Sequence, residues 1–235
     1  MSSPPPPIGT PVAPTRIAVA ATAWVTLIQF FVVQVVAQWA STAPYHVTRQ
    51  FISDLGNTAC APYRYYTTDE LVEVCSAQHA LVNTSFIVSG LLLITGLLLA
   101  WSHWPRHPAI TTGKTMIVFA GLGWAIAGLS PENENIFVHS MGAMLLVVGG
   151  NAGVLILGLV SRSRAGWRVH GTWTLVTGAI GTAATILYFT NQYLGLGLGT
   201  MERLAAYPLV AWAIATGLGW LTSRRRSLAS PAIRV

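Results

Sequence analysis

All seven acidic residues of the chain, Asp54, Asp69, Glu70, Glu73, Glu132, Glu134 and Glu202, fall in the gaps after the first, third and fifth of its long apolar stretches. Of the thirteen Lys and Arg, all but Arg49, Arg64 and Arg203 lie before the first stretch, after the even-numbered ones, or at the C-terminus. Charge that alternates with every apolar stretch is the pattern of a polytopic membrane protein whose basic loops stay in the cytoplasm.

Composition agrees with a bilayer as solvent. Only 9% of residues are charged and 53% are apolar, whereas about a quarter of a soluble domain is charged. The formal charge of +6 does not point to nucleic acid, because the basic residues flank apolar segments instead of forming a basic, aromatic-interleaved face. Anionic lipid is the fitting counter-ion for Arg224, Arg225 and Arg226.

The sequence predicts an all-α bundle of six transmembrane helices, at roughly 17–38, 80–101, 114–130, 136–160, 171–193 and 204–221, each near the 17 to 25 residues a hydrocarbon core requires. An even count puts both termini on the cytoplasmic side of the plasma (inner) membrane. The apolar run of the first span is too long for a cleavable signal peptide. Trp24, Trp124 and Trp212 fall mid-span and are expected to face protein, while Trp101, Trp104, Trp167, Trp173 and Trp220 cluster at the cytoplasmic ends. Residues 1–15, dense in proline, read as a disordered cytoplasmic tail, and 224–235 as a basic one.

The one sizeable hydrophilic stretch joins the first two spans and holds both cysteines. Cys60 and Cys75 stand on the oxidising side and are expected to form a structural disulfide. Thr68 reads as the N-cap of a helix that runs through "DELVEV" into the second span; Cys75, His79 and Asn83 would then share one face. Within "FISDLGN", Asp54 precedes Gly56 and suits a local cap or Asx-turn, although carboxylates at membrane depth are often functional.

Three patterns in this order, "ISDLGN" followed by a cysteine, "VCSAQHALVNTSFIVSGLLL", and "GLSPENENIFVHSMGA" with "GGNAGVLILG", resemble the DUF998 family of bacterial and archaeal integral membrane proteins, whose function is unknown. The resemblance runs from Gln34 to Leu221. It implies a six-helix membrane bundle, with Ser53, Asp54, His79, Asn83, Pro131, Glu132, Asn133, His139 and Asn151 as the family's polar positions.

The topology gathers His46, Ser53, Asp54, His79, Glu132, Glu134, His139, Glu202 and Arg203 near the outer boundary. Three functions are compatible with them. A non-enzymatic protein would bind membrane lipid or a protein partner, including a second copy of itself, through Asn83, Glu132, Asn151, Glu202 and Arg203. A membrane-embedded hydrolase of lipid or envelope material would use Asp54, His79 and His139 as Zn²⁺ ligands beside Ser53. A small transporter would need a polar path through the span centres, which offer little beyond Asn83, Asn151 and scattered threonines. For His79 and His139 the plainer expectation is interhelical hydrogen bonding, and for Arg203 a structural ion pair.

Overall fold

The computed structural model describes residues 13–65 and 71–229. Six of its helices are long and apolar enough to cross a membrane: α1 (Pro14–Trp39), α2 (His79–Leu99), α3 (Pro108–Leu129), α4 (Ile136–Ser161), α5 (Arg168–Phe189) and α6, whose span Leu198–Ser223 continues as helix to Ala229. The protein is a six-helix membrane bundle. Residues 1–12 of the proline-rich segment, and Thr68, Asp69 and Glu70, lie outside the described residues.

The expected spans all appear, with boundaries shifted by local chemistry. The third starts at Pro108, six residues before the expected Lys114. Lys114 is buried within it because its ammonium reaches back to the Trp101 carbonyl at 3.0 Å and lies 4.0 Å above the Trp101 ring, a long side chain carrying its charge to the helix end. The sixth starts at Leu198, before the expected 204, so Glu202 and Arg203 sit inside the helix. α1 is interrupted only at Leu27, whose backbone stays in the right-handed helical region.

The helix expected after Thr68 is instead a β-strand, and this corrects the sequence reading. β1 (Ala61–Arg64) and β2 (Leu71–Val74) form an antiparallel hairpin in the register Ala61↔Val74 to Arg64↔Leu71. Alternating Leu71, Val72, Glu73 and Val74 suit a pleat, and the Cys60–Cys75 disulfide closes the hairpin directly beyond its Ala61↔Val74 pair. α2 therefore begins only at His79, and the stripe of three residues reduces to His79 and Asn83. Closing a loop with a sequence separation of 15 stabilises by about 3 kcal/mol in the chain-entropy account.

Packing follows membrane rules. Val32, Leu91, Phe119, Phe137 and Ile180 are exposed on the bundle surface, where lipid tails would meet them, while glycines let the backbones touch. α2 packs most closely on α3 and α4 on α5. A Cβ at Gly178 would land on the backbone of Leu155, and one at Gly158 on the backbone of Leu175, so neither position of the α4–α5 contact admits a side chain. Trp24, Trp124 and Trp212 are buried as expected. The Trp24 indole donates to the Leu93 carbonyl at 3.1 Å and the Trp212 indole to Thr174 Oγ1 at 3.0 Å. The Asn151 amide donates to Thr185 Oγ1 (3.0 Å) and the Ala205 carbonyl (2.7 Å), tying α4 to α5 and α6, while its Oδ1 is buried without a partner.

Candidate functional site

The helix ends split by charge. The loops after α1, α3 and α5 make an acidic end, and those after α2 and α4 a basic end. At the acidic end, the segment between α1 and β1 folds inward. Ser53–Gly56 forms one turn of 3-10 helix, and all four of its residues are buried.

Three neighbours hold that turn. Asn83 of α2 donates from Nδ2 to the Gly56 carbonyl at 2.8 Å, and a Cβ at Gly56 would displace the Asn83 amide that makes this bond. Ser76 donates to the Leu55 carbonyl at 2.6 Å. From α6, the Glu202 carboxylate accepts the Ile52 backbone N–H at 2.6 Å. Arg203 donates to the carbonyls of Val47 and Gln50 at 2.9 Å each and of Gly199 at 2.8 Å, and to the Tyr45 hydroxyl. Its terminal nitrogens therefore go to backbone carbonyls and a phenol, where the sequence suggests a structural ion pair, and its Nε is buried without a partner.

The turn delivers Ser53 and Asp54 to Glu132, which stands in the loop between α3 and α4. Ser53 Oγ donates to Glu132 Oε2 at 2.6 Å, and the Asn57 amide also hydrogen-bonds Glu132. Asp54 Oδ2 accepts the Phe51 N–H at 2.8 Å and the Tyr65 hydroxyl, which β1 of the hairpin brings across. The Asp54 and Glu132 carboxyls are close enough to act on each other electrostatically. Yet Asp54 Oδ1 and Glu132 Oε1 are both buried without a partner, as is Asn57 Oδ1.

Electrostatics explains the pair. Burial, reinforced by the neighbouring Glu132 charge, holds the Asp54 carboxyl well above the usual carboxylate range. Burial also raises Glu132, against the lowering effect of its hydrogen bonds from Asp54, Ser53 and Asn57. Two adjacent buried carboxylates cannot both ionise cheaply. A proton on either carboxyl relieves that repulsion, and the protons then belong to the pair.

A cavity of about 100 Å³ opens beside the pair. Its apolar wall includes Phe30, Phe86, Trp124, Met144, Leu146 and Val147, and its polar side Ser53, Glu132, His139 and Glu202. Leu145–Gly149 of α4 is a π-turn, a local widening that re-aims the side chains around it and recurs at functional sites. His139 faces the cavity with Nδ1 committed to the carbonyls of Ala127 (3.1 Å) and Ser130 (2.9 Å), so that nitrogen donates and the ring is locked across α3 and α4.

The structure thus brings together Ser53, Asp54, Glu132, His139 and Glu202 from the expected set. His79 is half-buried at the start of α2 and does not line the cavity. Among the described residues no group of three or more His, Cys, Asp or Glu side chains is arranged to hold a metal ion, Asp54, His79 and His139 included. Asn133 serves the loops: its side chain accepts the Thr58 N–H and donates to Thr58 Oγ1, both at 3.1 Å. Sequence reasoning missed Tyr45, Asn57 and Tyr65. Tyr63 and Tyr65 lie two apart in "APYRYY", the period-2 spacing that places them on one face of a strand.

The model of a family described as a protein of unknown function, DUF998, matches residues 24–219. No curated protein and no solved structure matches the chain.

Proposed function

The chain belongs to the DUF998 family, and from that premise we propose that it is a receptor for an amphiphile, binding a lipid-like molecule whose polar end donates hydrogen bonds or carries an ammonium group. The observation that carries this reading is Glu132, which lines a largely apolar cavity and whose Oε1 is a buried acceptor without a partner. An apolar cavity with a few convergent polar groups is the usual form of a small-molecule site. Here every acidic group points to the same ligand chemistry. The tail takes the wall of Phe30, Phe86 and Trp124, and the head takes the place of the proton between Asp54 and Glu132.

Dodecylamine is the direct probe. In lipid nanodiscs at neutral pH it should bind saturably, while dodecanoate should not compete. Glu132→Gln keeps an acceptor for Ser53 but turns a donor toward Asp54, and should weaken amine binding by about tenfold or more, the worth of a hydrogen bond to a charged group. Equal affinity in wild type and Glu132→Gln, or equal binding of amine and acid, would remove the basis of the proposal.

A second reading is favoured by one contact. Ser53 and Glu132 form a hydroxyl–carboxylate pair of the kind that activates a nucleophile, and hydrolysis of an ester-bearing lipid at this cavity is the corresponding activity.

The acidic end is assigned to the outer side of the plasma membrane, and both termini to the cytoplasm, on the charge rule. Glu134 is exposed at that end, and the chain's cysteines are paired. Glu134→Cys should therefore react with an impermeant maleimide added to intact cells; reaction only after permeabilisation would reverse the assignment.

A further inference from the structure

The basic end holds a second, larger cavity, of about 610 Å³, between the start of α5, the last turns of the α6 span and the α2–α3 loop. We infer that it is a binding site for a lipid-soluble planar ring bearing neutral carbonyl oxygens, the chemistry of a quinone head group.

Its walls are rings. His103, Trp167, His170, Trp173 and Trp220 line it. Several meet at angles instead of stacking on one another: His103 lies 5.5 Å from Trp167 and 5.2 Å from Trp220, and Trp167 lies 5.5 Å from His170, all edge-on. Such a lining presents both ring faces and ring edges to an occupant, the contacts that another flat ring uses best.

Two polar groups on facing helices lack partners. Thr216 Oγ1 of α6 and His170 Nε2 of α5 are buried without a hydrogen bond, and both residues line the cavity. Thr216 is 3% exposed. A threonine inside a helix ordinarily returns its hydroxyl to the carbonyl one turn back, as Thr172, Thr174, Thr177 and Thr222 do here at 2.8–3.0 Å. Thr216 does not, which leaves its hydroxyl unpaired in a residue that lines the cavity. Buried polar groups are so regularly paired that two orphans lining one space point to what fills it.

The charge of the lining narrows the class. Among the described residues no Asp, Glu, Lys or Arg lines the cavity, so that part of the lining offers no counter-charge to an ammonium, a phosphate or a carboxylate. Neutral acceptors on a ring suit the Thr216 hydroxyl and the imidazole of His170.

The test uses full-length protein in nanodiscs, decylubiquinone as probe, and tryptophan fluorescence, since Trp167, Trp173 and Trp220 line the site. Wild type should show saturable quenching. Thr216→Val, nearly the same shape without the hydroxyl, should need about tenfold more quinone, the size expected for one lost hydrogen bond, whereas Thr216→Ser should stay within about twofold of wild type on the same scale. Decylbenzene, which has ring and tail but no carbonyls, should not compete. Non-saturating quenching, an unchanged curve for Thr216→Val, or equal competition by decylbenzene would each overturn the inference. Loss of binding in Thr216→Ser would overturn it too, by showing that packing and not the hydroxyl matters.

Discussion

Replacing Asp54 by alanine is expected to cost about 3 kcal/mol or more, because it strands the Phe51 N–H and the Tyr65 hydroxyl, and an unmade buried hydrogen bond costs about 1–3 kcal/mol. Asp54 is 1% exposed, so water cannot take over either donor. Asparagine should behave differently. Its Oδ1 can keep both donors while its Nδ2 occupies the place of the orphaned Oδ1 and donates to Glu132, as a protonated Asp54 would. Asp54→Asn should therefore stay within about 1 kcal/mol of wild type, the net worth of one ordinary hydrogen bond.

The two variants should also differ from wild type in pH dependence, and the sign follows from the raised carboxyls. Asp54 and Glu132 both bind protons more tightly folded than unfolded, through burial above all. Their contribution is thus fully present below the ordinary carboxylate pKa of about 4 and is lost as pH rises through the folded values. Tyr65, Ser53, Asn57 and Glu202 also face the pair; of these only Glu202 brings a second negative charge. Thermal unfolding in detergent across pH should show wild type losing stability on the alkaline side, with Asp54→Asn much flatter. A wild-type curve that rises with pH over that range would contradict the shared proton.

The second large effect is steric. Gly178→Leu should destabilise by about 3 kcal/mol or more, at the upper end for overpacking, since even its Cβ would strike the Leu155 backbone. The helices must separate, because no flexible side chain is present to yield. The α4–α5 contact would open, and with it the Asn151 bonds to Thr185 and Ala205. A melting temperature of Gly178→Leu within a few degrees of wild type would show that the close approach of these helices is not needed.

Spans were legible because hydrophobic length and charge alternation are local properties, and Trp24, Trp124 and Trp212 could be assigned inward from depth alone. Boundaries were less legible where a side chain extends beyond its own Cα: Lys114 reads as a helix end but is a long stem bringing its charge home to Trp101. The hairpin was misread because "TTDELVEV" carries an N-cap signal and a strand pattern at once, and pairing with Ala61–Arg64 decides for the strand. At the site, Ser53, Asp54, Glu132 and Glu202 stand out as polar residues at span ends. That Ser53 and Asp54 would meet Glu132, 79 positions from Ser53, depends on the inward fold of the α1–β1 segment, which has no periodicity to announce it. Tyr65 reaches Asp54 only because the hairpin crosses the turn.

Infrared difference spectroscopy of the protein in nanodiscs at neutral pH tests most directly whether this acid pair holds a proton that a ligand displaces. Wild type should show a protonated-carboxyl band that is weaker in both Asp54→Asn and Glu132→Gln, and dodecylamine should convert it to carboxylate absorption. A wild-type spectrum without a protonated carboxyl, or one in which saturating amine leaves that band unchanged, would contradict the account.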